Sequence, residues 1–149
     1  MQACIYENYG SADVVRLAEV AKPEVAADEV LVRVHAASVT TADWRFRAAA
    51  FPRGFRLMGR LMTGLFRPRK PILGIDFSGV VHAVGKDVTR FRVGDAVFGA
   101  ASATRRGAHA EFLAVRESGA VVHKPSALTH EEAAAIPFGG GSALSFLRD

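Results

Sequence analysis

The chain has 149 residues and a mass of 15.9 kDa, which is the size of about one domain. Hydrophobic residues make up 50% and charged residues 23% of it, which excludes a disordered chain, a collagen-like repeat and a coiled coil. No apolar stretch approaches the ~20 residues that span a bilayer, and the N-terminus carries no pattern of a secretory signal. Cys4 is the only cysteine, so an internal disulfide and a zinc site made of cysteines are both excluded. We therefore expect a soluble, cytoplasmic domain.

The net charge of +4 comes from one segment. Residues 44–75 hold eight basic side chains and no acid, which leaves 11 basic and 15 acidic residues elsewhere. The eight are Arg45, Arg47, Arg53, Arg56, Arg60, Arg67, Arg69 and Lys70. Arginines among phenylalanines can bind nucleic acid, but no nucleic-acid-binding motif accompanies them, so we expect no such partner.

The same segment predicts an amphipathic helix. Phe55, Met58, Met62 and Leu65 recur at helical spacing, with arginines on the other face. We expect a surface helix or lid that packs on its own domain. A helix lying on a membrane surface is the less favoured alternative.

Most of the chain predicts short strands. They are expected over 4–9, 14–20, 29–37, 72–84, 96–100, 107–115 and 120–123. In 29–37, valines at 30, 32 and 34 alternate with Arg33 and His35. Glycines punctuate the runs after residue 70, as is typical of a curved antiparallel barrel. Between the strands, Thr40 or Thr41 can cap a short helix that begins near Ala42, with Asp43 in its first turn.

After Pro125 the sequence pattern changes from one typical of strands to one typical of helices. Residues 129–132 read Thr-His-Glu-Glu, a capping box that predicts a helix through Ile136. Pro137 is expected to break this helix, and a second helical run follows over 142–147. Strands followed by helices predict an α+β fold that is mainly β, with a barrel core. The helical pattern still continues at Asp149, so we expect the chain to end at an arbitrary cut.

Two adjacent motifs are more specific than a generic barrel. Residues 74–85 read GIDFSGVVHAVG and residues 88–99 read VTRFRVGDAVFG, and 28–34, 37–39 and 133–137 agree in order and spacing. Together they resemble the GroES-like N-terminal domain of medium-chain dehydrogenases/reductases, in the zinc-independent quinone oxidoreductase branch. The resemblance implies a partly open β-barrel over 1–126 with short peripheral helices. It also implies a helical connector over 127–149, leading toward a Rossmann domain that these residues do not contain. The basic stretch 51–71 looks like a variable insertion or lid.

The resemblance argues against zinc. Zinc-dependent members carry a cysteine ligand near the position of Thr40 and Gly-His-Glu where this chain has Gly74-Ile75-Asp76, so both ligand positions are changed. The four-cysteine structural lobe is also missing. The five histidines, at 35, 82, 109, 123 and 130, have no spacing typical of metal ligands. We expect no metal site.

The resemblance also implies the site residues. In this family NADPH lies between the barrel and the Rossmann domain, and Thr40 and Ser142 would contact the nicotinamide. The branch usually has asparagine at the position of Thr40. Thr40 and Ile75 would line the substrate pocket. Trp44, Phe51 and Phe66 are candidates for a flat apolar wall of it, with ordinary core residues as an equal alternative.

Two acids and one glycine run have alternative interpretations. Asp43 and Asp76 resemble a carboxylate pair for acid–base chemistry, but structural roles at a helix start and a turn are favoured. The glycines at 139–141 are not expected to bind phosphate, because they do not follow a strand of a βαβ unit. In the family this region passes under the nicotinamide.

The leading hypothesis is the N-terminal catalytic-domain portion of a zinc-free NAD(P)H-dependent oxidoreductase. It would transfer hydride to a quinone or conjugated enone, because an acceptor that is already electrophilic needs no Lewis acid. We expect this chain alone to be inactive, since it lacks the cofactor-binding domain. The alternative is a stand-alone GroES-like binding or assembly module without activity. Exposed apolar surface and free strand edges would favour self-association.

Overall fold

The computed structural model describes residues 1–102 and 105–148, so Asp149, the last residue of the predicted connector, lies outside it. The described residues form seven strands and three α-helices, which confirms a mainly β, α+β fold. The strands are β1 (Gln2–Tyr6), β2 (Val15–Glu19), β3 (Glu29–Ala37), β4 (Asp76–Val84), β5 (Ala96–Ala100), β6 (Phe112–Arg116) and β7 (Ala120–His123). The helices are α1 (Thr41–Ala48), α2 (Arg56–Thr63) and α3 (His130–Leu147). None of the described helices is long and apolar enough to cross a bilayer.

One curled sheet forms the barrel. Its order is β6-β3-β4-β5-β7, all antiparallel, while β1 and β2 form a separate pair. Residues 117–119 join β6 to β7, yet these two strands are the opposite edges of the sheet. Because so short a connection reaches only about 14 Å, the sheet must curl until its edges face each other. A cavity of about 530 Å³ lies between the two edges, so the predicted partly open barrel is confirmed.

The core lies inside this curl. Val30 and Val32 are fully buried whereas Arg33 and His35 are exposed, which confirms the alternation predicted for β3. Two glycines permit the close approach of strands. A Cβ at Gly79 would lie 2.0 Å from the Arg33 carbonyl oxygen, and one at Gly99 would lie 2.0 Å from that of Ala120.

Two predicted strands begin later than expected. The run from Ile72 becomes a strand only at Asp76, because Gly74 has φ +91° and interrupts it; Ile72 makes a single bridge to Ile5. The run from Gly107 becomes a strand only at Phe112. Gly107 has φ +158°, and its N–H donates to the Gly74 carbonyl oxygen at 2.9 Å.

The prediction that Pro137 breaks the C-terminal helix is wrong. α3 runs continuously from His130 to Leu147 with Pro137 inside it. The predicted capping box is confirmed, since Thr129 and the Glu132 side chain exchange hydrogen bonds with each other's backbone N–H. Beyond the proline, the Phe138 N–H donates to Asp76 Oδ2 at 3.1 Å. A carboxylate outside the helix therefore compensates for part of the hydrogen bonding that proline disrupts.

The predicted helix in the basic segment is confirmed as α2, but it contacts the domain through an unexpected face. A Cβ at Gly59 would lie 2.5 Å from the Phe51 ring, and Thr63 is buried. The Tyr9 hydroxyl donates to the Gly64 carbonyl oxygen at 2.7 Å and lies 3.1 Å from Thr63 Oγ1. The small and polar face is therefore the one that packs.

Asp43 links α1 to the start of β4. The carboxylate is buried, and its Oδ2 accepts from the Thr40 N–H at 2.8 Å and the Thr40 hydroxyl at 3.0 Å. Its Oδ1 accepts from the Gly74 N–H at 2.8 Å. One side chain thus caps a helix and holds the backbone that enters the neighbouring strand.

Asp76 has a similar role at α3, at an electrostatic cost. Its Oδ2 also accepts from the Ser38 hydroxyl at 3.1 Å, while Oδ1 has no hydrogen-bond partner among the described residues. Burial, and to a smaller extent the charge of Asp43, raise the pKa of Asp76 above its usual 3.8, while the bonds from Ser38 and Phe138 oppose this. The folded state therefore holds this proton more tightly than the unfolded chain does.

We expect Asp43→Ala to lower the free energy of unfolding by about 2–4 kcal/mol, because it leaves the Thr40 and Gly74 N–H groups without their acceptor. Urea titration followed by circular dichroism measures this. Asp13→Ala is the control, since Asp13 is exposed and, among the described residues, accepts a hydrogen bond only from Ser11. It should change the free energy of unfolding by less than about 0.5 kcal/mol. Equal midpoints for the two variants would contradict the role of Asp43.

For Asp76 the expected effect depends on pH. Because the pKa of Asp76 is raised in the folded state, protonated Asp76 contributes to stability at low pH. This contribution is largest below the pKa of the unfolded chain and is lost as the pH rises through the pKa of the folded state. Between about pH 4 and pH 7, wild type should therefore lose free energy of unfolding relative to Asp76→Asn. Urea titrations at several pH values test this, with Asp13→Asn as the exposed control. If the two proteins instead keep the same difference in free energy of unfolding at every pH, that result would refute the cost assigned to burying Asp76.

Candidate functional site

The candidate site lies where β3 ends, β4 begins and α3 crosses both. Thr40 is the N-cap of α1, and its hydroxyl donates to Asp43. The oxygen of that hydroxyl keeps lone pairs that can accept a further hydrogen bond. Asp76 holds the Phe138 backbone, so the same corner also determines the position of α3.

A cavity of about 270 Å³ opens between α1, the segment after it and α3. Its lining is mostly apolar: Thr41, Ala42, Arg45, Phe46, Phe51, Pro52 and Phe138. Phe46 and Phe51 meet edge to face with ring centroids 6.5 Å apart. Such a cavity suits a small, flat, apolar molecule, and Arg45 supplies positive charge at its wall.

The predicted pocket residues do not all meet in this cavity. Phe51 lines it, but the other four, Thr40, Trp44, Phe66 and Ile75, do not. Trp44 is 51% and Phe66 84% exposed, so neither is an ordinary core residue. Ile75 is half-buried just before β4.

Sequence reasoning missed the other two aromatic residues of the lining, Phe46 and Phe138. Phe46 lies four residues after Ala42 on α1, a spacing that places the two on one helix face and could have found it. Phe138 follows the proline that was expected to end the helix. Its place in the cavity depends on α3 continuing past that proline.

The glycine run lies in the interior of α3. Gly139, Gly140 and Gly141 are exposed helical residues, so their N–H groups are not those of a helix N-terminus, where phosphate binds. A Cβ at Gly139 or Gly141 would meet no described atom within 4 Å, and one at Gly140 would meet only Ile136 Cγ2, at 3.3 Å. Since each glycine costs a helix about 1 kcal/mol relative to alanine, the fold gains nothing from them. Together with exposed Ser142 they form a stretch of bare helix backbone next to the cavity wall at Phe138.

The carboxylates at this corner bind backbone groups of the protein. Both oxygens of Asp43 accept hydrogen bonds, and Asp76 accepts from Ser38 and Phe138. Neither lines the 270 Å³ cavity. Among the described residues, both acids therefore bind groups of the protein itself.

Metal ligands do not gather in the described ranges 1–102 and 105–148, where no three His, Cys, Asp or Glu side chains form a group that could hold an ion. His35 and His130 stack with centroids 4.7 Å apart, and His130 Nδ1 lies 2.7 Å from Ser78 Oγ. Burial, followed by the neighbouring His35 and Lys124, lowers the pKa of His130. His109 Nε2 lies 3.0 Å from the Ser38 carbonyl oxygen. These three histidines hold α3 and a loop to the barrel.

Several proteins that are similar to this chain are named oxidoreductases or reductases. The chain is 34% identical over 152 residues to the human mitochondrial NAD(P)H oxidoreductase RTN4IP1, covering 93% of this chain and 36% of that protein. It is 34% identical over 144 residues to a 2-methylene-furan-3-one reductase from Solanum lycopersicum, covering 92% and 34%. The structure of the quinone oxidoreductase from Coxiella burnetii matches with a TM-score of 0.84 and 29% identity, covering 99% of this chain and 44% of that one.

The family follows from these matches. The chain spans about a third of the length of the curated relatives named above. Residues 26–132 match the model of the alcohol dehydrogenase GroES-like domain. The match covers most of the barrel, from the residues before β3 to the start of α3. The chain therefore belongs to the quinone oxidoreductase-like branch of the medium-chain dehydrogenase/reductase family, of which it contains the GroES-like N-terminal domain.

Proposed function

We propose that this chain is the N-terminal catalytic-domain portion of a zinc-free, NADPH-dependent oxidoreductase that transfers hydride to a quinone or a conjugated enone. The relatives' names support this acceptor class, since 2-methylene-furan-3-one is itself a conjugated enone. The activity belongs to a longer protein, because the chain spans only about a third of the relatives. The 149 residues alone transfer no hydride.

The glycine run in α3 is the observation that carries the proposal. Three glycines that the fold does not need leave one turn of α3, between Phe138 and Ser142, without side chains beyond Cα. A planar nicotinamide ring fits against such a surface, where side chains would hold it away. Ser142 and Thr40 would bind it by their hydroxyl groups, Thr40 accepting a hydrogen bond while it donates to Asp43.

The chemistry of the acceptor follows from the residues beside this surface. NADPH, when bound, supplies the hydride. Thr40 and Ile75 replace the zinc ligands of other family members, so no Lewis acid polarises the substrate, and an acceptor that is already conjugated is the consistent choice. The Phe46, Phe51 and Phe138 side chains would hold its flat apolar body and exclude water. Arg45 would stabilise negative charge on the acceptor oxygen.

The proposal is tested by NMR of the labelled chain with each half of the cofactor. Reduced nicotinamide mononucleotide at millimolar concentration should shift the amide signals of Thr40 and residues 139–142. Adenosine 2′,5′-bisphosphate, the other half, should leave those signals unchanged. Shifts elsewhere, or none with either half, would favour the alternative of a binding module without activity.

A separate assay tests the prediction that the chain alone does not oxidise NADPH. Mixed with NADPH and a quinone or enone, the purified chain should not decrease the absorbance of the reduced nicotinamide of NADPH, because it cannot transfer the hydride. A rate that co-purifies with the chain would refute its inactivity.

Substituting the glycines of α3 should have opposite effects on stability and on contact with the nicotinamide. We expect Gly139→Ala/Gly141→Ala to raise the free energy of unfolding by about 1–2 kcal/mol, because both sites are open and helical. The variant should also lose the nicotinamide-induced shift at Ser142. Gly94→Ala is a matched control: its Cβ site is equally open, but φ is +97°, so it should lower stability and keep the shift. If the double variant is more stable and Ser142 still shows the full nicotinamide-induced shift, the glycines do not have the role assigned to them.

A further inference from the structure

The α2 helix turns its apolar face away from the domain, unlike an ordinary surface helix. Its body-facing residues are Gly59 and Thr63, with the Arg60 guanidinium stacked 4.4 Å from the Tyr9 ring centroid. Its apolar residues point outward instead: Leu57, Met58, Leu61 and Met62 are 52–68% exposed. A helix that served only to cover its own domain would bury this face.

Apolar side chains continue beyond both helix ends. Phe55, Leu65 and Phe66 are 57%, 44% and 84% exposed, respectively. Together with the four helical residues they form one stretch, 55–66, which we call the α2 patch. Isolated exposed apolar residues are ordinary, but a clustered set of seven marks an interaction surface.

The charge along the segment that carries the α2 patch is entirely positive. Arg53, Arg67 and Arg69 flank the patch, Arg56 lies within it, all four are exposed, and no acidic residue lies between 44 and 75 in the sequence. None of the ion pairs in the described ranges includes a basic residue of this segment. The partner must therefore offer negative charge together with an apolar interior.

We propose that the α2 patch binds the surface of an anionic lipid bilayer, with α2 lying in the plane of the interface. Leu57, Met58, Leu61 and Met62 would enter the boundary between headgroups and acyl chains, and the flanking arginines would reach lipid phosphates. Nucleic acid does not suit a face made of leucine and methionine. A second copy docked patch to patch would bring two basic segments together without any acid.

Co-sedimentation of the 149-residue chain with vesicles tests this. The chain should bind vesicles of phosphatidylcholine mixed with phosphatidylserine, bind pure phosphatidylcholine far less, and be released by added salt. Leu61→Gln/Met62→Gln should weaken binding by at least about tenfold, because two apolar side chains no longer leave water. Arg53→Gln/Arg56→Gln/Arg67→Gln/Arg69→Gln should weaken it similarly while leaving the apolar face intact.

The control uses a different exposed apolar site. Phe146 and Leu147 at the end of α3 are 87% and 85% exposed. Phe146→Ser/Leu147→Ser should keep wild-type binding, and circular dichroism should show every variant folded. Equal binding to neutral and anionic vesicles, or no binding to either, would overturn the proposal. Two further outcomes would overturn it. Light scattering could show a dimer that Leu61→Gln/Met62→Gln dissociates, or the chain could bind an oligonucleotide more tightly than it binds vesicles.

Discussion

Two buried carboxylates hold together the corner on which the candidate site depends. Asp43 connects α1 to the backbone that enters β4, and Asp76 connects the end of β3 to the middle of α3. Burying a carboxylate is unfavourable, and N–H or O–H donors offset this only where they reach it. Asp43 has a donor on both oxygens, whereas Asp76 has donors on one. The second acid therefore holds α3 in place at a cost in stability that the first does not carry.

The sequence predicted features that are determined by neighbouring residues. Alternation along β3, the cap at Thr40 and the capping box at Thr129 each depend on residues a few positions apart, and each is present. The continuation of α3 past Pro137 was missed because its compensating acceptor lies 62 residues away from Phe138 in the chain. The face through which α2 packs was missed for the same reason. It depends on how closely Gly59 approaches Phe51, which no periodicity in the sequence expresses.

The roles expected for the site residues remain predictions, and the structure gives only their positions. Thr40 is the N-cap of α1, Ser142 lies in α3, and Phe51 lines the cavity. Trp44 and Phe66 are exposed in this domain. The sites of greatest functional interest, the glycines of α3 and the apolar face of α2, both break a local rule of stable folding. Such departures from local preference are characteristic of functional surfaces.

The order of strands in the sheet has a consequence for how the chain folds. The short turn of residues 117–119 joins β6 and β7, which do not pair, so it cannot nucleate a hairpin. In the β3 ladders, Val34 pairs with Gly79 and Arg33 with Phe112, so each ladder closes a loop of tens of residues. Domains dominated by such contacts fold in roughly milliseconds to seconds, since loop entropy is lost before pairing compensates for it. Strand β3 therefore has no neighbour to pair with until β4 (Asp76–Val84) has been synthesised, and its second neighbour, β6 (Phe112–Arg116), comes later still.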